Sequence, residues 1–104
     1  MKKDKLIAQL KIEKKEYSVR ATVHALERMK ERNIDEFVVS GNVLALGKAK
    51  LQELQKSQEE AIIIDKNTNS AVVIGFKKNT IKVITVINKS NVFVKDNTRV
   101  EKLS

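Results

Sequence analysis

AIIIDKNTNSAVVIGFKKNTIKVITVI, residues 61–87, is the stretch that decides the fold. Ala61–Asp65 and Ala71–Phe76 are rich in β-branched side chains, which are stiff at χ1 and pack well on a pleated surface. The linker Lys66-Asn67-Thr68-Asn69-Ser70 between them is polar and rich in Asn, a residue that tolerates tight turns, so the pair reads as a hairpin. Lys77–Thr80 supplies another turn. Ile81-Lys82-Val83-Ile84-Thr85-Val86-Ile87 is then the strongest strand signal in the chain and is apolar enough to be central. Val92-Phe93-Val94 reads as a short edge strand.

Upstream lies a helical half. Thr22 is a candidate N-cap for a helix starting at Val23, with Ala25, Leu26 and Met29 as its apolar face and Asn33 at its end. Asn33-Ile34-Asp35-Glu36 has the character of a second cap, followed by an apolar stripe of Phe37, Val38, Leu44, Leu51 and Leu54. Gly41-Asn42 and Gly47 are the points where that stripe bends or breaks. At the start of the chain, Leu10-Lys11-Ile12 and Tyr17-Ser18-Val19 alternate around the polar run Glu13–Glu16, which predicts a hairpin. A helix over residues 3–15 competes with it, because Leu6, Ile7 and Leu10 also fit a helical stripe.

These elements predict an α+β domain: two or more helices packed on a small antiparallel sheet of three to five strands. The 104 residues suit one domain. It divides into a basic hairpin or helix at 1–20, a helical layer at 22–58, antiparallel strands at 61–95 and a tail at 96–104.

Composition narrows the chemistry. With no cysteine and one histidine, thiolate catalysis, disulfides and a histidine- or thiolate-built metal site are excluded. No cofactor motif is present: Gly41 and Gly47 match no phosphate-binding loop. No early segment has the pattern of a signal peptide, and the longest apolar runs are too short for a bilayer, so the expectation is a cytoplasmic protein without a membrane partner. The net charge is +8 and is uneven: residues 1–20 carry net +4, residues 21–60 net −1 and residues 61–104 net +5. Excess cation on the two β-rich ends suits a polyanion or an acidic protein partner, and equally a lysine-rich solubilising surface.

His24, Arg28 and Arg32 recur at i, i+4 and i+8 and so share one side of the first helix. Metal-free RNA cleavage needs a base for the 2′-hydroxyl, an acid for the leaving oxygen and cations at the phosphorane. His24 is of the residue type suited to the first two roles, and Arg28 has the fork geometry for the third. The alternative is plain: Arg28 with Glu31 and Arg32 with Glu36 as surface ion pairs, and His24 as a structural residue.

The string His24-Ala25-Leu26-Glu27-Arg28-Met29-Lys30-Glu31-Arg32-Asn33-Ile34-Asp35 resembles the opening helix of a bacterial and phage family with the pattern His-Ala-x-x-Arg-Met-x-x-Arg-Gly-Ile. That family ends in a Val-Ile-Thr-Val-like strand, matched here by Ile84-Thr85-Val86, and is grouped with the RelE-like and barnase/colicin-like ribonuclease toxins. The resemblance spans about residues 17–88 and implies an RNA-cleaving toxin without metal or cofactor, held by an acidic antitoxin or immunity partner. His24, Arg28 and Thr85 would be its catalytic positions, with Arg32, Lys77, Lys78 and Lys82 as nucleic-acid ligands. Strict alternation sends Lys82 and Thr85 to opposite faces unless a bulge intervenes, and Thr85 is then preferred. This chain departs from the pattern at Asn33, in the charged segment 47–60 and after Asn88. A second class of function fits the same residues: a non-catalytic phage or mobile-element accessory protein that binds nucleic acid or a host protein. Only Tyr17, Phe37, Phe76 and Phe93 are aromatic, too few and too scattered for a base-stacking RNA reader.

Overall fold

The structure is a computed structural model, which describes residues 4–89, 92, 94 and 98–103. Its elements are β1 (Lys5–Ile12), β2 (Lys15–Ala21), α1 (Val23–Glu31), α2 (Glu36–Leu44), α3 (Lys48–Ser57), β3 (Ala61–Asp65), β4 (Ser70–Lys77), β5 (Thr80–Ile87) and β6 (Arg99–Leu103). Three helices pack on one face of a six-stranded sheet ordered β1-β2-β5-β4-β3-β6. The α+β class is as expected, but the sheet exceeds five strands and is mixed. β2 runs parallel to β5, and β6 runs parallel to β3. Such pairings join segments distant in sequence, which local alternation does not register.

Residues 5–12 form a strand, not a helix. Glu13 and Lys14 both have positive φ, 48° and 71°, so β1 and β2 close through a two-residue turn of the mirror-image kind whose twist matches a hairpin. The alternation that continues through Tyr17 and Val19 buries both residues, a periodicity that a helix breaks. The tail read at 96–104 contains β6. Its alternation is carried by Arg99, Glu101 and Leu103, which a hydrophobic pattern does not reveal. For the edge strand expected at Val92-Phe93-Val94, Phe93 lies outside the described residues. Val92 and Val94 are not in a strand, and both pack on Ile62, Ile64 and Ala71.

The helices start where their caps place them. Thr22 Oγ1 accepts from the Ala25 amide at 3.1 Å, and Asp35 Oδ1 accepts from the Phe37 amide at 2.7 Å. Gly41 stays inside α2, whereas Gly47, with φ of 89°, breaks the chain between α2 and α3. That left-handed geometry suits a residue without Cβ.

The main core lies between helices and sheet. Val19, Ala21, Ile63, Val72, Ile74, Ile81, Val83 and Val86 meet Ala25, Met29, Val39, Val43, Leu51 and Leu54 there. A smaller cluster of Ile62, Ile64 and Ala71 sits on the other face under Val92 and Val94. The remainder of that second face, on β1, β2 and β5, carries no helix.

Candidate functional site

β5 organises the site. Its ladder with β4 pairs Val83 with Ile74 and Thr85 with Val73, so Ile84 is an extra residue, a β-bulge. Gly75 makes room for it: a Cβ there would come within 3.1 Å of Ile84 Cδ1. The bulge resets the alternation. Lys82 pairs with Gly75 and Thr85 with Val73, and Gly75 and Val73 are two residues apart on β4, so they share a face. Lys82 and Thr85 therefore lie on the same, helix-free face, correcting the strict-alternation expectation. The signal was in the sequence: Lys82 and Thr85, the polar residues of the run 81–87, stand three positions apart, which strict alternation does not allow on one face.

On that face the parallel ladder sets Arg20 directly beside Lys82 and Ser18 beside Thr80. Lys77 faces Thr80 from β4. Both Arg20 and Lys82 are half-buried. Arg20 Nη2 donates to the Asp4 carbonyl at 3.4 Å, and neither residue takes part in any ion pair among the described residues. The one acid on the same face of β2, Glu16, is opposed by Lys11 across the hairpin. Glu60 borders the row beyond Gly75, its Cγ 3.7 Å from where a Gly75 Cβ would stand, without bonding Lys82. Like charges opposed on a sheet destabilise it by roughly 0.2–1 kcal/mol. Sequence reading passed over Arg20. Its alternation with Tyr17 and Val19 placed it on this face, but its neighbour is some sixty residues downstream.

α1 borders the same strand. β2 ends at Ala21, and from there the helix takes its place at the β5 edge. Thr22 Oγ1 donates to the Ile84 carbonyl at 3.1 Å, and Arg32 Nη1 donates to the Val86 carbonyl at 2.6 Å. Thr85 sits between these two held carbonyls. Of the stripe His24, Arg28 and Arg32, it is Arg32 that is bonded to the second half of β5. Arg32 is tied into the fold by its bond to Val86, not to Glu36, which pairs instead with Lys5 at 2.7 Å. Arg28 pairs with Glu31 at 3.2 Å on the surface. His24 is exposed in the first turn, with no hydrogen bond to any described residue. Lys78 lies in the β4–β5 turn, where its amide donates to Gln58 Oε1 at 3.2 Å.

Among the described residues no group of three or more His, Asp or Glu is placed to hold a metal ion, and no helix is long and apolar enough to cross a membrane. No family model, curated protein or solved structure matches this chain. The functional reading therefore rests on the geometry and on the resemblance of the α1 motif.

Proposed function

We propose that this protein binds RNA along the helix-free face of its sheet and cleaves it without a metal. The observation that carries the reading is the half-buried Arg20–Lys82 pair, two cations side by side with no ion-pair partner among the described residues. A phosphodiester backbone supplies the missing negative charge, and Ser18, Thr80 and Thr85 add hydroxyl donors on the same face. Lys77 and Lys78 extend the positive charge around the β4–β5 turn. In this reading a strand passing the β5 edge at Thr85 would turn onto α1, where His24 would exchange protons with the 2′-hydroxyl and leaving oxygen and Arg28 would clamp the phosphate once released from Glu31. An acidic protein covering the Arg20–Lys82 row would silence binding and cleavage together. Cytoplasmic location and a toxin role belong to this proposal.

One observation favours a non-catalytic binding module instead: the His24 ring has no hydrogen-bond partner among the described residues, whereas a catalytic imidazole is ordinarily oriented by a second group. One experiment separates the readings. Purified protein is incubated with RNA in EDTA, and cleavage and affinity are measured for the wild type, His24→Ala and Lys82→Ala. The proposal expects His24→Ala to bind but not cleave, and Lys82→Ala to lose affinity and salt dependence. Binding without cleavage by the wild type leaves the module. Affinity unchanged in Lys82→Ala removes the sheet face from the site.

A further inference from the structure

The ladders fix which residues stand side by side on the open face across four strands. Ser18 pairs with Thr80 and Arg20 with Lys82, while Val19, Ala21, Ile81 and Val83, which alternate with them, are fully buried on the helix side. The four polar residues therefore occupy two successive outward positions on neighbouring strands, a patch of roughly 5 Å by 7 Å at ordinary sheet spacing. All four are half-buried. The Arg20 side chain donates to the Asp4 carbonyl. Those of Ser18, Thr80 and Lys82 make no hydrogen bond or ion pair among the described residues.

The border of this patch differs from its interior. On β1, Leu6 stands beside Arg20 and Gln9 beside Ser18. On β4, Lys77 stands beside Thr80 and Gly75 beside Lys82. Gly75 is itself buried, with Ile84 Cδ1 and Glu60 Cγ lying where its side chain would be. Along β2, Glu16 is the outward residue before Ser18. Of these bordering residues Lys77 alone is a cation, and it is exposed. A phosphate backbone running on through the patch would meet aliphatic, amide or acidic neighbours at the other border positions.

Two cations and two hydroxyls are gathered in one place and are not continued around it. Such a set is matched best by a ligand that concentrates its negative charge on one centre. A phosphomonoester does so, with about −1.5 to −2 at pH 7 and three strong acceptor oxygens, and a guanidinium fork meets two of those oxygens at once. We infer that Ser18, Arg20, Thr80 and Lys82 hold a terminal phosphate, the phosphomonoester end of an RNA chain. This inference rests on the RNA-binding reading above and narrows it: the strand is anchored here by its end.

The probes are 2′-O-methyl uridine tetranucleotides, which lack the hydroxyl that cleavage needs, carrying a 5′-phosphate, a 3′-phosphate or hydroxyls at both ends. Binding to the full chain is measured by calorimetry in EDTA, with the fold of each variant checked by circular dichroism. A phosphorylated end is expected to raise affinity about tenfold, the scale of one further charge-assisted hydrogen bond, and the tighter of the two phosphorylated probes names the end. Lys82→Gln is expected to abolish that preference, and Ser18→Ala combined with Thr80→Val to reduce it at unchanged charge. Lys77→Gln, at the border, is expected to weaken all three probes alike and keep the preference. Equal binding of the three probes, with Lys82→Gln weakening each alike, overturns the terminal-phosphate inference and leaves the RNA reading standing. A preference that survives Lys82→Gln, or one lost as fully in Lys77→Gln, overturns it as well. No binding of any probe at millimolar concentration overturns the inference and the RNA reading together.

Discussion

On β5, Ile81, Val83 and Val86 turn to the helices and are fully buried, while Lys82 and Thr85 turn the other way and stay half-exposed. On the proposed reading, the same strand serves stability on one side and recognition on the other. Burial of the first set removes apolar surface from water and needs nothing from outside the chain. The second set does the reverse, since two like charges side by side cost the free protein some stability. The helix face is complete in itself, and on the proposed reading the open face is completed by an anionic ligand.

Substitutions on the two faces should therefore differ in kind. Ile81→Ala leaves a cavity in a tightly packed core and is expected to lower unfolding free energy by about 2–5 kcal/mol in denaturant titration. Lys82→Ala on the next residue should stay within about 0.5 kcal/mol of wild type. Equal losses would mean that the open face is structural after all. Next in size is Arg32→Ala, which removes the charged donor from the Val86 carbonyl and frees the end of α1 from β5. A loss of about 1–2 kcal/mol is expected, with faster amide exchange in α1 than in α2. Smaller, and opposite in sign, is Lys82→Glu. Replacing like charges with an opposed pair should raise stability by about 0.2–1 kcal/mol while abolishing RNA binding. That joint outcome would sharpen the contrast between the faces more than any loss-of-function variant.

The smallest effect lies at the far edge of the sheet. Glu53 accepts from Arg99 at 2.9 Å, and Lys50 lies 3.5 Å from Glu53 and 3.7 Å from Glu101, so α3 holds β6 by ion pairs. The hydrogen bond and charge of Arg99, with Lys50 behind them, hold the Glu53 carboxyl below its usual range. Because the folded value is the lower one, its contribution is present above the ordinary Glu range of about 4.3 and is lost as pH falls through the depressed value. Thermal melts of wild type and Glu53→Gln should differ at about pH 6, and the difference should shrink as pH falls below the ordinary Glu range of about 4.3. A difference that persists in acid would assign the contact to packing instead of charge.

The parts of this fold that the sequence discloses are those governed by neighbours in the chain. Thr22 and Asp35 cap helices, Gly47 breaks one, and the β-branched runs form β3, β4 and β5. Each follows from a local preference. What escaped depends on partners far away. β1 was ambiguous because Leu6, Ile7 and Leu10 satisfy both periods, and the register shift at Ile7 blurs its alternation. β6 is a strand because β3 lies beside it and α3 supplies counter-charges. At the site, His24, Arg28 and Lys82 stood out by type and spacing, whereas Arg20 acquires its meaning only from Lys82 across the parallel ladder. The part of Arg32 in holding the β5 edge was equally invisible, since helix spacing pointed to Glu36.

The parallel seam between β2 and β5 has a consequence in time. Thr22 bonds Ile84 across 62 residues, whereas β3, β4 and β5 are joined by short turns. Closing a long loop costs entropy that must be met before its contacts form, so the β3–β5 meander is the segment able to assemble first and the β1–β2 hairpin the one that docks last. Arg20 meets Lys82 only at that final step. A chain still emerging from its synthesis, or one that has locally opened at this seam, holds its two cations apart, so the affinity proposed for them would switch on together with the finished fold.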